Sequence, residues 1–353
     1  MKIHAVLGLM LALCACGGGG GGGGGSAGGG AASSAGSASS SAASSTASSS
    51  ASSAASSSVS SAAASSATSS SAASSIAAGP LGVIGNTLCL NADGPAGQAT
   101  YPRIESVLGT GAIESPSDTV YTPNRPHVVE FDNDGIAGPH FGILAIDPTD
   151  VNQDLVPITS GGDRSRTEIK IAPSTGGVQD GFKAHEGDTY VYTWRFRIAP
   201  GMKFSPSFTH IHQIKAYLGT FDDPPLITFT PLSTGFMDIR QIGDGTTSSS
   251  VFNILGSMPL AGVPGQWMDV REEITYSNTV GRYKLTIWYQ NGTVALNIDS
   301  SGLQMWRTGS DHMRPKWGIY RKHHASLNQN IDDYIYFANF GITHGSTPAS
   351  TCR

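Results

Sequence analysis

Charge is almost missing from the first part of the chain. Lys2 is the only charged residue before position 80, and positions 17–79 hold little besides Gly, Ser and Ala, with no aromatic residue. Such a tract cannot bury enough apolar surface to offset the entropy of ordering its backbone, so it is expected to be a disordered linker. No apolar run reaches 18 residues, which excludes a membrane-spanning helix. The remainder, 80–353, is long enough for one sizeable core. It carries 20 basic and 26 acidic residues, a net charge of −6. That balance argues against a nucleic-acid binder, and an anionic polymer would have to meet cations gathered in one groove.

Cysteine is also scarce, with four in 353 residues. Two lie in the opening segment, where Lys2 precedes the apolar stretch Ile3–Leu13. This reads as an export signal over 1–15. Leu13-Cys14-Ala15-Cys16 resembles a bacterial lipoprotein box, which implies lipidation of Cys16. The competing reading is ordinary cleavage and a soluble secreted product. The expectation is therefore an exported protein, on the outer membrane or cell surface through a lipid anchor, or secreted. Residues 16–79 would be its tether, with a mean reach of about 45 Å by Gly/Ser chain statistics. Cys89 and Cys352 lie near the two ends of the folded part. In an oxidising compartment they are expected to form a disulfide, the alternative being two buried thiols.

The folded part lacks any convincing amphipathic helix. It has short β-rich runs instead, among them Thr189–Ile198, His210–Ala216, Phe236–Ile242, Trp267–Tyr276, Tyr283–Tyr289 and Asp333–Thr343, separated by Gly, Pro, Asn and Asp. Such spacing predicts an all-β fold, a two-sheet jelly roll (concanavalin-like sandwich) with a long concave groove. Asn291-Gly292 between two runs predicts a hairpin with a type I′ turn.

Three segments carry candidate chemistry. On a strand, Arg164, Arg166, Glu168 and Lys170 share one face, an odd excess of cations, although charges on an edge strand also discourage aggregation. In Thr209–Lys215, strict alternation sets Ile211, Gln213 and Lys215 on one face and His210, His212 and Ile214 on the other. The His-x-His pair invites a metal, but no third ligand at matching spacing accompanies it, and no metal is assigned. In Lys316–Lys322, Lys316, Gly318, Tyr320 and Lys322 share a face, with Gly318 leaving room beside Tyr320.

Together these segments carry a resemblance. Arg166-Thr167-Glu168-Ile169 resembles the Arg-Thr/Ser-Glu-Leu strand of jelly-roll alginate lyases. Gln213-Ile214-Lys215 resembles their Gln-Ile-His strand, and Lys316-Trp317-Gly318-Ile319-Tyr320 their Lys-Ala-Gly-x-Tyr strand. Lys at the third position of the second motif is more similar to glucuronan lyases and jelly-roll ulvan lyases, while Trp317–Tyr320 with Tyr334–Ile342 is similar to heparin-lyase-like domains. The resemblance implies a polysaccharide lyase that cuts a uronate polymer, glucuronan- or ulvan-like, with alginate or a heparin-type polymer as the alternative. β-Elimination needs the uronate carboxylate neutralised, then a base and an acid. Arg166 and Gln213 are the candidate clamp. Lys215 is the candidate base and Tyr320 the candidate acid, or Tyr320 the base with Lys215 holding it ionised. His212 is a third participant or a structural support. Arg164, Glu168, Arg240, Lys316 and Arg321 are candidate substrate-binding residues. The expected partner is an anionic polysaccharide and the expected state a monomer. No cofactor is required, although Asp132-Asn133-Asp134-Gly135 and Asp222-Asp223 are loop carboxylates able to hold a structural calcium and equally good turn formers.

Two other classes compete. A glycoside hydrolase would need two carboxylates across the groove, and Asp269 and Glu273 are the pair on offer. A carbohydrate-binding module would stack sugars on Trp194, Trp288, Trp306 or Trp317.

Overall fold

The computed structural model describes residues 79–118, 125–145, 164–218, 224–324, 327, 333–348 and 351–353. The segment expected to be an export signal, Cys16, the expected linker up to residue 78 and the Asp222-Asp223 pair lie outside the described residues. Within them the chain is an all-β jelly roll of two antiparallel sheets. The nine-stranded sheet has the order β1 (Gly82–Ile84), β2 (Thr87–Leu90), β16 (Asp333–His344), β7 (Thr189–Ile198), β12 (Met268–Thr275), β13 (Gly281–Tyr289) and β14 (Val294–Leu303). Alongside it, β5 (His140–Ala145) pairs with β16, and β4 (Val128–Phe131) with β5. The seven-stranded sheet has the order β11 (Asn253–Pro259), β10 (Phe236–Gln241), β9 (Ile227–Pro231), β8 (Thr209–Tyr217), β15 (His312–Lys322), β6 (Arg164–Lys170) and β3 (Ile113–Glu114).

Alternation along the strands builds the core. On β7, Tyr190, Tyr192, Trp194, Phe196 and Ile198 point inward, and Arg195 and Arg197 belong to the outer face. Inner residues of both sheets, such as Phe229, Trp317, Ile287 and Phe337, join one apolar cluster. Trp194, Trp306 and Trp317 are buried in it, so they are core residues and not the sugar platforms a binding module would need.

Two local expectations are corrected. A helix does form, α1 (Thr100–Leu108), burying Ile104, Val107 and Leu108 on one side. Its apolar face covers two turns only, too short for periodicity to stand out. The Asn291-Gly292 hairpin is not type I′. Gly292 alone has a positive φ (+83°), its N–H reaches Tyr289 O at 2.8 Å, and Tyr289 N–H reaches Thr293 O at 2.8 Å. This is the three-residue loop that ends in a glycine bulge. Asn291 keeps an ordinary φ and its Oδ1 accepts from Thr293 N–H.

Cys89 on β2 is disulfide-bonded to Cys352, 263 residues later. Closing a loop of that length restricts the unfolded chain by roughly 5–6 kcal/mol in the chain-entropy treatment. A Cys89→Ala/Cys352→Ala protein is therefore expected to unfold at much lower urea than wild type. An unchanged midpoint would show that the bridge does not contribute.

Candidate active site

The three motif strands are neighbours, in the order β8, β15, β6. Register then decides which side chains meet. Between β15 and β6, Tyr320 faces Arg166, Gly318 faces Glu168, and Lys316 faces Lys170. Between β15 and β8, Arg314 faces Lys215, Lys316 faces Gln213, and Trp317 faces His212. The register then slips, and Tyr320 faces His210. Three steps on β15 match two on β8, a β-bulge. The slip overturns the strict alternation expected for β8. Ile211 and His212 both turn into the core, while His210 turns outward beside Tyr320.

His210, Tyr320 and Arg164 line a cleft of about 380 Å³ that runs across the strands toward β10. Arg164 Nη1 donates to the Tyr320 hydroxyl at 2.8 Å. That leaves the phenol's own proton to point elsewhere. The Arg166 guanidinium lies over the Tyr320 ring, 4.1 Å from its centroid, a cation–π contact. The His210 ring stacks on Phe208 at 4.8 Å and lies 6.1 Å from the Tyr320 ring. Its Nδ1 is 3.0 Å from Thr230 Oγ1, which is itself tied to Thr228. At the far end Arg240 stacks on Phe252 at 4.2 Å and pairs with Asp238 at 2.9 Å. The cleft wall at Pro224 and Pro225 is anchored from behind, because buried Arg307 donates to both their carbonyls and to Gly243 O.

Burial, reinforced by Arg240 and Arg164, pushes the His210 imidazole from 6.5 down to about 3. Between those two values the folded protein binds fewer protons than the unfolded chain. Stability from this group is full above pH 6.5 and falls as pH drops toward 3. The urea midpoint is expected to decline from pH 7 to pH 4. His210→Gln should remove on the order of 2–3 kcal/mol of that decline. An equally steep decline in the variant would contradict the assignment.

The remaining expected site residues are placed differently from their predicted roles. Glu114 on β3, which nothing in the sequence singled out, is the hub of a buried ionic cluster. It pairs with both Lys170 and Lys316, and Lys316 also reaches Glu168 at 3.0 Å. Burial alone would raise the Glu114 carboxyl, but Lys316 and Lys170 override it and hold the group well below the ordinary carboxylate range. Burial pulls Lys170 down to about 8. Glu168 and Lys316 are thus buried partners of each other, not open substrate contacts. Gln213 is also buried and gives its amide N–H to Glu168 rather than to the cleft. Arg166 is within 4 Å of both Glu114 and Glu168, which fix it from below.

Lys215 is half-buried opposite Arg314. Five steps of β8 and six of β15 separate that level from Tyr320, roughly 17–20 Å at the rise of a strand. The expected meeting of Lys215 and Tyr320 therefore does not occur. Arg321 lies on the core side, fully buried and bonded to Asp333 and to Lys203 O, so it is corrected from substrate contact to structural residue. His212 is fully buried, with Nε2 2.9 Å from Glu272 on β12 and Nδ1 2.9 Å from Lys316 O. It ties the two sheets together and stands apart from the cleft. His210 and His212 occupy opposite faces of β8 and cannot share a metal ion. Among the described residues no group of three or more His, Cys, Asp or Glu is placed to hold one. Asp134, offered above for calcium, accepts from Trp267 Nε1, Arg197 and the backbone of Ile136 and Ala137.

The sequence model of the family described as polysaccharide lyase matches residues 140–341, which spans β5 to β16 and all three motif strands. The chain belongs to this family and is a polysaccharide lyase. Among solved structures it is similar to the alginate lyase Aly36B, with 16% identity over 74% of this chain and 98% of the other and a TM-score of 0.46. It is also similar to a marine alginate lyase of Aplysia kurodai, with 13% identity over 73% of this chain and 98% of the other and a TM-score of 0.46. No curated protein matches it.

Proposed function

We propose that the chain cuts a uronate-bearing polysaccharide by β-elimination in the cleft around Tyr320. The observation that carries this reading is the juxtaposition, on one sheet face, of a phenol, a neutral imidazole and two guanidiniums. In the reaction a base takes the proton from the carbon bearing the carboxylate. The C–H electron pair becomes a carbon–carbon double bond, the glycosidic C–O bond breaks, and an acid protonates the departing oxygen. Arg164 and Arg166 neutralise the carboxylate and so stabilise the charge that develops there. Tyr320 is the acid, its proton directed away from Arg164. His210 is the base: Thr230 engages Nδ1, leaving Nε2 for the substrate proton. A bound carboxylate offsets the cations that depress the imidazole, so its basicity rises when substrate is present. Arg240 is a cation for a neighbouring uronate. Lys215, half-buried, is a cation for a unit farther along the groove.

The substrate reading is a glucuronan- or ulvan-like polymer, with alginate an equal contender. The test is to incubate the protein with glucuronan, ulvan, alginate and heparin and to follow near-ultraviolet absorbance from the unsaturated uronate. A rise with at least one polymer is expected. New reducing ends without absorbance would instead mean hydrolysis and sink the proposal. The hydrolase reading has little to stand on, because Asp269 and Glu273 lie on β12 in the other sheet. Asp269 is held by Arg195 and Arg353, and Glu273 by Arg271 and Lys284.

A further inference from the structure

Those same ion pairs define a second surface. On the outer face of the nine-stranded sheet, two carboxylates are each shared by two cations. Asp269 is 2.8 Å from Arg195 and 2.6 Å from Arg353, and Glu273 is 2.9 Å from Arg271 and 2.8 Å from Lys284. Among these side chains four cations therefore face two carboxylates, in a chain of formal net charge −5. The adjacent Arg282–Asp299 pair is balanced and leaves that excess of cations unchanged.

Trp288 on β13 lies directly across from Asp269. It is the half-buried member of the tryptophans considered above, and it forms one wall of a separate cleft of about 230 Å³. Thr193 and Val270 line that cleft, and Pro348 and Cys352 belong to the segment stapled to β2. Arg271 and Arg353 also line it, with side chains 36% and 57% exposed. Each bonds its protein partners through Nη2 alone. Their remaining N–H groups make no bond to other described residues.

We propose that this cleft is a second, non-catalytic site that holds one uronate unit of an anionic polysaccharide. The apolar face of the sugar ring lies on the Trp288 indole, and its carboxylate is gripped between Arg271 and Arg353. The volume suits a single ring better than a long oligomer. The proposal rests on the reading of the chain as a uronate-polymer lyase. The site is on the sheet opposite the Tyr320 cleft, so it grips a different stretch of polymer from the one being cut.

The test is affinity electrophoresis of the full chain in gels containing alginate or glucuronan, with neutral dextran as control. A Tyr320→Phe protein prevents digestion of the gel. It is expected to be retarded by at least one uronate polymer and not by dextran. Adding Trp288→Ala and Arg271→Gln should weaken the retardation about tenfold. Arg271→Gln alone, a change at an exposed side chain, should weaken it in part. In the active protein the same pair of substitutions should leave kcat/KM on short oligouronates unchanged and raise KM on long polymer. Equal retardation with and without the substitutions, equal retardation by dextran, or no retardation of any form overturns the site. Retardation that depends on Trp288, in a protein giving no elimination product, would overturn the reading of the Tyr320 cleft and leave the outer site standing.

Discussion

Tyr320→Phe is expected to lower kcat at least ~10²-fold, the low end of what a positioned acid or base contributes. KM should change little. The substitution removes one oxygen and keeps the ring, so the Arg166 guanidinium retains its aromatic partner and the Phe208–His210 stack is untouched. What disappears is the proton for the departing oxygen and the acceptor for Arg164 Nη1. A loss of kcat with unchanged far-ultraviolet circular dichroism would place the fault in the chemistry. His210→Ala should give a loss of similar size. If both variants turn over at wild-type rates, neither group moves a proton in the reaction, and the cleft would have to be read as a binding surface only.

Gly318→Ala is expected to be strongly damaging for a single added methyl. Gly318 has φ +152°, outside the range that other residues adopt readily, and it faces Glu168 across β6. A Cβ built there would sit 2.1 Å from Thr167 O and 2.7 Å from Glu168 Cα, both backbone atoms that cannot swing aside. The strands would have to part where Arg166, Glu168 and Tyr320 are brought together. A cost of at least ~3 kcal/mol is expected, from overpacking and strain together, read as a lower urea midpoint with loss of activity. Gly292→Ala is the contrast. That glycine also has a positive φ, yet its Cβ would meet nothing within 4 Å. The cost there should be about 1 kcal/mol, with activity intact. Similar effects at both positions would mean that backbone conformation, not crowding, sets the penalty. The sequence pointed to Gly318 for another reason, room beside Tyr320. The space it actually keeps open is for the neighbouring strand.

These two positions show what was legible. β-rich runs bounded by Gly, Pro, Asn and Asp identified β7, β12, β13 and β16 nearly to the residue, and alternation grouped Arg164 with Arg166 on β6 and Lys316, Gly318 and Tyr320 on β15, because a regular strand leaves no other choice. It failed where the ladder is irregular. One residue of slip between β15 and β8 separates His210 from His212, with which alternation groups it, and turns it to the cleft, and no residue in Thr209–Lys215 announces a bulge. It failed again for polar residues, since a charge on the groove face reads the same whether it meets solvent or a partner. Glu168, Lys170, Lys316 and Gln213 are closed over one another by Glu114, which belongs to a two-residue strand with no pattern of its own. Lys215 is paired with Tyr320 only through the resemblance of the three motifs, and neither a motif nor its order along the chain carries distance across a sheet.

The topology has a consequence for how the molecule is assembled in time. β16 lies between β2 and β7, and β15 lies between β8 and β6. The middle of each sheet is thus supplied by residues 312–344, after nearly everything on either side has been synthesised. Until that segment emerges, both sheets are split into halves with unpaired edges, and the pairings it makes reach back as far as Thr87. Contact order of this kind makes folding slow and late. A nascent chain stalled before residue 312 should stay protease-sensitive and prone to sticking to other chains, and release of the last forty or so residues should close both sheets in a single cooperative event.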